Sequence, residues 1–397
     1  MNNYQDSLSE LNKNITLSEK LRFLHEIIRK RYEFVHRIAV AVYDPKTDLL
    51  KTFLHSSGTD DPLSRYEARL GESGALQEIR RTGRPRVVRD FTALESGRKE
   101  HTLRIAAQGY RSSYTLPLFM NGVFFGFIFF DSYGTDSFRP EALPDLDLLG
   151  HLVSVTVAND LSNIRTMMAS VKAARDFTAF RDMELGAHLD RIAHYSRLIA
   201  RELAPSHRLD DEFIEHIFLF APLHDIGKIG IPDAILQKAD ALDAEEFEAM
   251  KAHTRKGREI IDGMLQNFGL ESIQHIEILR NIAEYHHEAV NGTGYPRGLK
   301  GEDIPLEARI VSAADIFDAL TNLRSYKPAW TNAQAFLRLR ELAGSKLDGD
   351  CVEALIHNAE GVEKIQKRFR DEAAASEGRE EAVAAERPGG DCGKKMA

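Results

Sequence analysis

The chain has 397 residues, 43% of them hydrophobic and 28% charged, with a formal net charge of −9. That length exceeds what one core usually organises and predicts two or three domains. The charge balance excludes a general binder of polymeric nucleic acid, whose affinity comes largely from Lys and Arg neutralising phosphates, so an anionic ligand would need a local pocket of positive charge. Cys351 and Cys392 are too few for a disulfide framework or a thiolate metal site, which leaves nitrogen and oxygen as the ligands for any metal. No apolar run approaches the roughly 18 residues of a membrane span, and the start MNNYQDSLSELNKN lacks the basic-then-apolar order of a signal peptide. No membrane insertion and a cytoplasmic location are therefore expected.

In chain order, residues 1–19 read as an N-terminal helix or leader. HRIAVAVYDPKTDLLKTFLH predicts two strands joined around Asp44, Pro45 and Lys46, and SSYTLPLFMNGVFFGFIFFDS predicts a hairpin turning at Asn121 and Gly122. The Phe-rich run from 124 to 130 loads both faces of its strand, as a central strand covered on both sides requires. Between the hairpins, LGESGALQEIRRTGRPRVVRDF predicts a helix ending near Gly83 and a short strand ending by Asp90. This order resembles a GAF sensor domain, placed at 20–150, although PAS domains share the sandwich of sheet and helices. The Asn-Lys-Phe-Asp-Glu pattern of the cyclic-nucleotide-binding GAF subset is absent and no cysteine lies here to attach a bilin, so the small-molecule ligand stays open.

From 145 to about 370 the pattern is helical. Val157, Leu161, Ile164, Met168 and Val171 alternate in steps of four and three. Such a stripe is either the seam of a helix pairing two protomers, over 151–174, or the core-facing side of a single helix. After 370 the chain is rich in Ala, Glu and Gly with few large apolar residues, and 371–397 is expected to be disordered.

The helical half gathers chemistry. Glu184 and His188, in MELGAHLDR, are four apart and project from one helical face. His224, Asp225 and Lys228 lie in LHDIGKIGIPD, His253 in KAHTRKG, His286 and His287 in AEYHHE, and Asp315 in SAADIFDALT. A lone helical histidine is usually a satisfied core or surface residue. Adjacent His-Asp and His-His pairs beside further carboxylates are another matter, because imidazoles fix divalent metals while carboxylates bridge them and balance their charge.

HDIGKIGIP, HHEAVNGTGYPRGL, IPLEARIVSAADIFDALT and RSYKP together resemble the HD-GYP subgroup of the HD phosphohydrolases, placed at 175–370. The fold class that follows is multidomain α+β: an α/β GAF-like sandwich, a connecting helix and an all-α HD-GYP domain. What the resemblance implies is a phosphodiesterase that opens cyclic di-GMP to pGpG, and in some members on to GMP, with cyclic GMP-AMP hydrolysis or a weakly catalytic receptor as alternatives. It implies as metal ligands Glu184, His188, His224, Asp225, His253, His286, His287 and Asp315, with Asp225 as the bridge between two or three ions of iron or manganese. The three-ion count is favoured because Glu184 and His188 are surplus to a bridged pair. Asp225 and Lys228 are the catalytic residues; Lys228, Arg324 and Lys327 supply positive charge for the phosphate, Tyr295 an aromatic face or a hydroxyl, and Asp318 orders either a ligand or a guanine. Lys228 has a structural alternative, pairing with a carboxylate. Three positions depart from the family's usual residues: Asn291 for Asp, Thr254 for Pro and Ser325 for Pro. None is a ligand. Cyclic di-GMP, a ligand of the GAF domain and a second protomer are the expected partners.

Overall fold

The structure, a computed structural model, describes residues 6–57, 67–93, 105–178, 185–238, 240–268, 275–322 and 329–369. By its backbone contacts the chain forms two compact units: Met1–Lys172 with His207–His216 and Asp262–Ile276, and Ala173–Ser206 with Ile217–Ile261 and Glu277–Ala397. Two short segments of the C-terminal half thus group with the N-terminal unit, which no reading of the chain as consecutive blocks anticipates.

The first unit is built on a six-stranded sheet. Its strands are β1 (Arg37–Asp44), β2 (Leu49–Ser57), β3 (Glu67–Arg69), β4 (Arg86–Val88), β5 (Ser112–Met120) and β6 (Val123–Ser132), in the order β3-β2-β1-β6-β5-β4. All neighbours run antiparallel. Asn121 and Gly122, at φ of 51° and 78°, supply the two left-handed residues that a tight hairpin needs between β5 and β6. β6 lies between β1 and β5 and is buried without interruption from Phe125 to Ser132, as its unbroken apolar run requires.

Helices cover both faces. α1 (Leu17–Arg31) starts in a capping box between Thr16 and Glu19 and buries Leu17, Leu21, Leu24 and Ile28. α2 (Gly74–Thr82) ends on Gly83 at φ 67° and turns Ile79 into a cluster with Ala41, Leu50, Leu70, Phe127 and Phe129. α3 (Leu143–Thr178) lies on the sheet at Gly150, where an added Cβ would sit 3.2 Å from Leu116 and 3.6 Å from Phe130.

Along α3, Val157 is 2% exposed, Leu161 4% and Ile164 0% within a single chain. The stripe is therefore the core-facing side of the helix and not a seam between protomers; Met168 and Val171 lie outside the described side chains. Leu148 and Val155, seven residues apart on the same helix, are by contrast 70% and 66% exposed.

The second unit is helical: α4 (Leu185–His207), α5 (Asp211–Phe220), α6 (Asp233–Leu236), α7 (Ala244–Lys251), α8 (His253–Phe268), α9 (Ile276–Tyr285), α10 (Leu306–Thr321), α11 (Asn332–Leu342) and α12 (Gly349–His357); α4, α5, α8 and α9 share residues with the first unit. α10 is the central one, burying Ala308, Ile310, Val311, Ala313, Ala314 and Phe317 and packing on α11 and α12. Among the described residues no helix is long and apolar enough to cross a membrane.

Candidate metal centre

The imidazoles of the site and Asp225 stand at or near element ends, and Asp315 stands within a helix. α5 ends at Phe220, and Pro222, which cannot donate to a continuing helix, turns the chain into the tight turn Ala221–Leu223. His224 and Asp225 follow immediately, between that turn and a second one at Ile226–Gly230. Gly227 lets this second turn approach the start of α8, since a Cβ there would lie 1.8 Å from the carbonyl oxygen of His253. His253 opens α8, His286 and His287 follow the end of α9, Asp315 lies on α10, and His188 sits in the first turn of α4.

Backbone carbonyls fix which ring nitrogen faces inward. Nδ1 of His224 lies 2.9 Å from the carbonyl of Ala221, Nδ1 of His253 2.8 Å from that of Met250, and Nδ1 of His286 2.9 Å from that of Ile282. A carbonyl can only accept, so each Nδ1 donates and each Nε2 is the nitrogen turned towards the centre. Asp225 stands among them with its two oxygens divided. Oδ1 faces Nε2 of His253 at 3.4 Å and Nε2 of His286 at 3.7 Å, whereas Oδ2 faces Nε2 of His224 at 3.3 Å. Nε2 of His224 is also 3.9 Å from Oδ1 of Asp315.

The potential ligands consequently fall into two groups, Asp225 with His253, His286 and His287, and His188 with His224 and Asp315, each with its ligand atoms within 4.8 Å of one another. A carboxylate directed to both sides is what a bridging ligand requires. Nε2 of His224 and Oδ1 of Asp225 are buried without a hydrogen bond, and the mixed imidazole-carboxylate donor set suits divalent transition metals. The residues present fit a metal centre.

Electrostatics point the same way. Burial opposes charge on both His224 and Asp225, yet Asp225 and Asp315 push the His224 imidazole up to about 9, and Lys228 and His224 hold the Asp225 carboxyl well below its ordinary range. Burial, aided by neighbouring His286, presses His253 down to about 4 and His287 lower still. Asp225 is thus an anion, and His253 and His287 are neutral lone-pair donors.

Around this core the sequence-predicted residues take different places. Asp318 is 2% exposed; it accepts from Nδ1 of His188 at 2.7 Å and from Arg191 at 2.7 and 3.0 Å. Of the two roles open to Asp318, ordering a ligand or a guanine, these contacts favour the first, with His188 as the residue it orients. Lys228 donates to Oδ2 of Asp225 at 2.5 Å, the structural pairing, with 43% of its side chain exposed. Tyr295 lays its ring 4.9 Å from that of His287, and Lys251 places its ammonium 5.6 Å from the centre of the Tyr295 ring. Burial and the charges of Asp225 and Asp315 push the Tyr295 phenol upward, so it stays neutral beside the centre. Glu184, Arg324 and Lys327 lie outside the described residues.

Two residues were missed from sequence. Arg191 clamps Asp318, and its spacing of three from His188 places both on one helical face, a signal that was available. Glu288 accepts from the backbone amides of Arg297, Gly298 and Leu299 at 2.7, 3.1 and 3.0 Å, holding the Gly-Tyr-Pro loop against the histidine pair. Gly294 belongs to the same arrangement, since a Cβ there would lie 2.2 Å from the amide of Ala289.

The HD domain family matches residues 174–351, across every described ligand, and the GAF domain family matches residues 21–157, across the sheet. The chain joins a GAF domain to an HD domain. The chain is 42% identical, across 190 residues, to a cyclic di-GMP phosphodiesterase response regulator of Xanthomonas campestris, covering 48% of this chain and 47% of that protein. A cyclic di-GMP phosphodiesterase of Vibrio cholerae is 37% identical over 239 residues, 57% of this chain and 48% of the relative. A 3'3'-cGAMP-specific phosphodiesterase of the same organism is 38% identical over 178 residues, 45% of this chain and 32% of the relative. The chain spans about half the length of the first two relatives.

Proposed function

We propose that the HD domain is a metal-dependent phosphodiesterase that opens cyclic di-GMP to pGpG and then to GMP, under the control of a small molecule bound by the GAF domain. The observation that carries the chemistry is Asp225, whose two oxygens face two separate sets of imidazoles. Asp225, His253, His286 and His287 would hold one divalent ion and His188, His224 and Asp315 a second, with Asp225 shared. Iron is proposed, with manganese accepted by the same ligands. Bound there, such ions supply Lewis acidity towards a phosphoryl oxygen and a water that ionises near neutral pH. Lys228, which pairs with Asp225, would with Arg324 and Lys327 contribute positive charge to the diester. Tyr295 keeps His287 oriented and stays protonated. The substrate reading draws on relatives named for cyclic di-GMP; those named for 3'3'-cGAMP favour cyclic GMP-AMP as the second reading.

The described ligands are accounted for by two ions, because His188 is taken up with His224 and Asp315; a third ion would have to be built on Glu184. We further propose that the protein is a homodimer, paired through the face of α3 that carries Leu148 and Val155.

The deciding experiment is anaerobic purification with metal quantification, followed by product analysis on cyclic di-GMP and 3'3'-cGAMP side by side. Faster turnover of cyclic di-GMP with at least two ions per chain is expected. Preference for 3'3'-cGAMP replaces the substrate, binding without turnover in the metal-loaded protein makes it a receptor, and a protein that holds no metal ends the enzyme reading.

A further inference from the structure

Away from the HD ligands, within the first unit, Glu212, His216 and His275 bring three ligand atoms within 4.8 Å of one another. Glu212 and His216 are one helical turn apart on α5 and project from one face, while His275 immediately precedes α9. Glu212 is 1% exposed and His216 0%. Nδ1 of His216 donates to the carbonyl of Glu212 at 2.7 Å, which leaves Nε2 as the lone-pair nitrogen. Oε2 of Glu212 accepts from the Ser18 hydroxyl of α1 at 2.7 Å, which turns Oε1 towards the imidazoles. Each first ligand is thus held from behind by a second group.

The separation of Oε1 of Glu212 from Nε2 of His275 is 3.5 Å, and both atoms are buried without a hydrogen bond. As a hydrogen bond that contact is poor, since good ones fall at about 2.7–3.2 Å. As an edge of a coordination tetrahedron it is close to ideal, because ligands about 2.0–2.1 Å from zinc stand roughly 3.3 Å apart. Charge agrees. Asp160 of α3 adds a carboxylate that acts on Glu212 and His275, and Asp210 acts on His275. The balancing cations are Lys20, acting on Asp160, and Lys51, 3.7 Å from Glu215.

We propose that Glu212, His216 and His275 form a second, structural divalent-cation site of zinc type, separate from the HD centre. Two imidazoles and one carboxylate are an established zinc donor set, with water completing four-coordination. The ion would fasten the first turn of α5 to the segment ahead of α9 and, through Ser18, to α1. α5 itself runs on to Phe220, four residues before His224.

The test uses full-length protein loaded with zinc and desalted. X-ray data at the zinc edge are expected to show an anomalous peak between His216 and His275, with the HD histidines as internal positive control. Glu212→Gln changes a buried group and risks the fold, so His275→Gln, at a side chain 24% exposed, is the decisive variant. It is expected to hold one zinc fewer than wild type while the peak at the HD centre remains. Zinc at the HD centre with none at His275, or an equal zinc content in His275→Gln and wild type, overturns the site. Either result leaves the phosphodiesterase reading untouched, because that rests on other residues.

Discussion

Asp225 is the residue on which the candidate centre turns, and on the proposed reading its replacement by Ala would leave two cations with no shared anion. Loss of both metal and turnover is expected, read by metal analysis and product assay; retention of both refutes the bridge. His224 sets a pH dependence. In the metal-free protein its proton stays on up to about 9 and has to leave before Nε2 can ligate. Manganese affinity at this centre is therefore expected to rise about tenfold per pH unit towards that value, and a flat titration between pH 7 and 9 would refute the assignment. The sign for stability is opposite: a raised histidine pKa stabilises the metal-free fold fully below about 6.5, and that contribution fades as pH climbs through about 9. Asp318→Asn should weaken metal binding by about 10–100-fold through loss of orientation of His188, with cyclic di-GMP affinity of the loaded protein changing far less. The side chains that the structure brings together were legible because the His-Asp, His-His and Gly-Tyr-Pro blocks occur jointly and in one order. Asp318 was not, since the side it faces depends on Arg191 and His188 meeting it from another helix.

At the level of elements, local chemistry made the hairpins readable: Asn121 and Gly122 dictate a tight turn, and Gly83 ends α2. β3 was not readable, because three residues acquire strand geometry only by pairing with Leu49, Leu50 and Lys51, and no periodicity survives over so short a run. The stripe on α3 stayed open between its two readings for a related reason. A spacing of four and three is shared by a coiled-coil seam and a core-facing side, and only tertiary packing chooses between them. Gly227 is an element-scale test of the centre. Its missing Cβ allows the turn after Asp225 to touch the start of α8, so Gly227→Ala must push the two apart, separating Asp225 from His253. Reduced metal content and activity with retained helical circular dichroism are expected, and wild-type metal content would show that the close approach is dispensable.

For the whole molecule, Leu148 and Val155, exposed on α3, and the buried stripe beside them make opposite predictions. Leu161 is enclosed by its own chain, so Leu161→Ala should cost ~2–5 kcal/mol in denaturant unfolding without altering the native mass. Leu148 and Val155 contribute nothing to that core. Their repeat of seven returns them to one line along the helix, where a second copy of the chain would cover both. Charges at both positions, Leu148→Asp with Val155→Asp, would be repelled across such a pairing and solvated in a monomer. The double variant is therefore expected to halve the mass in light scattering while keeping its circular dichroism and metal content. If wild type is already monomeric, or the double variant keeps the wild-type mass, the protomers do not pair through this face, and control by the GAF domain must act within one chain.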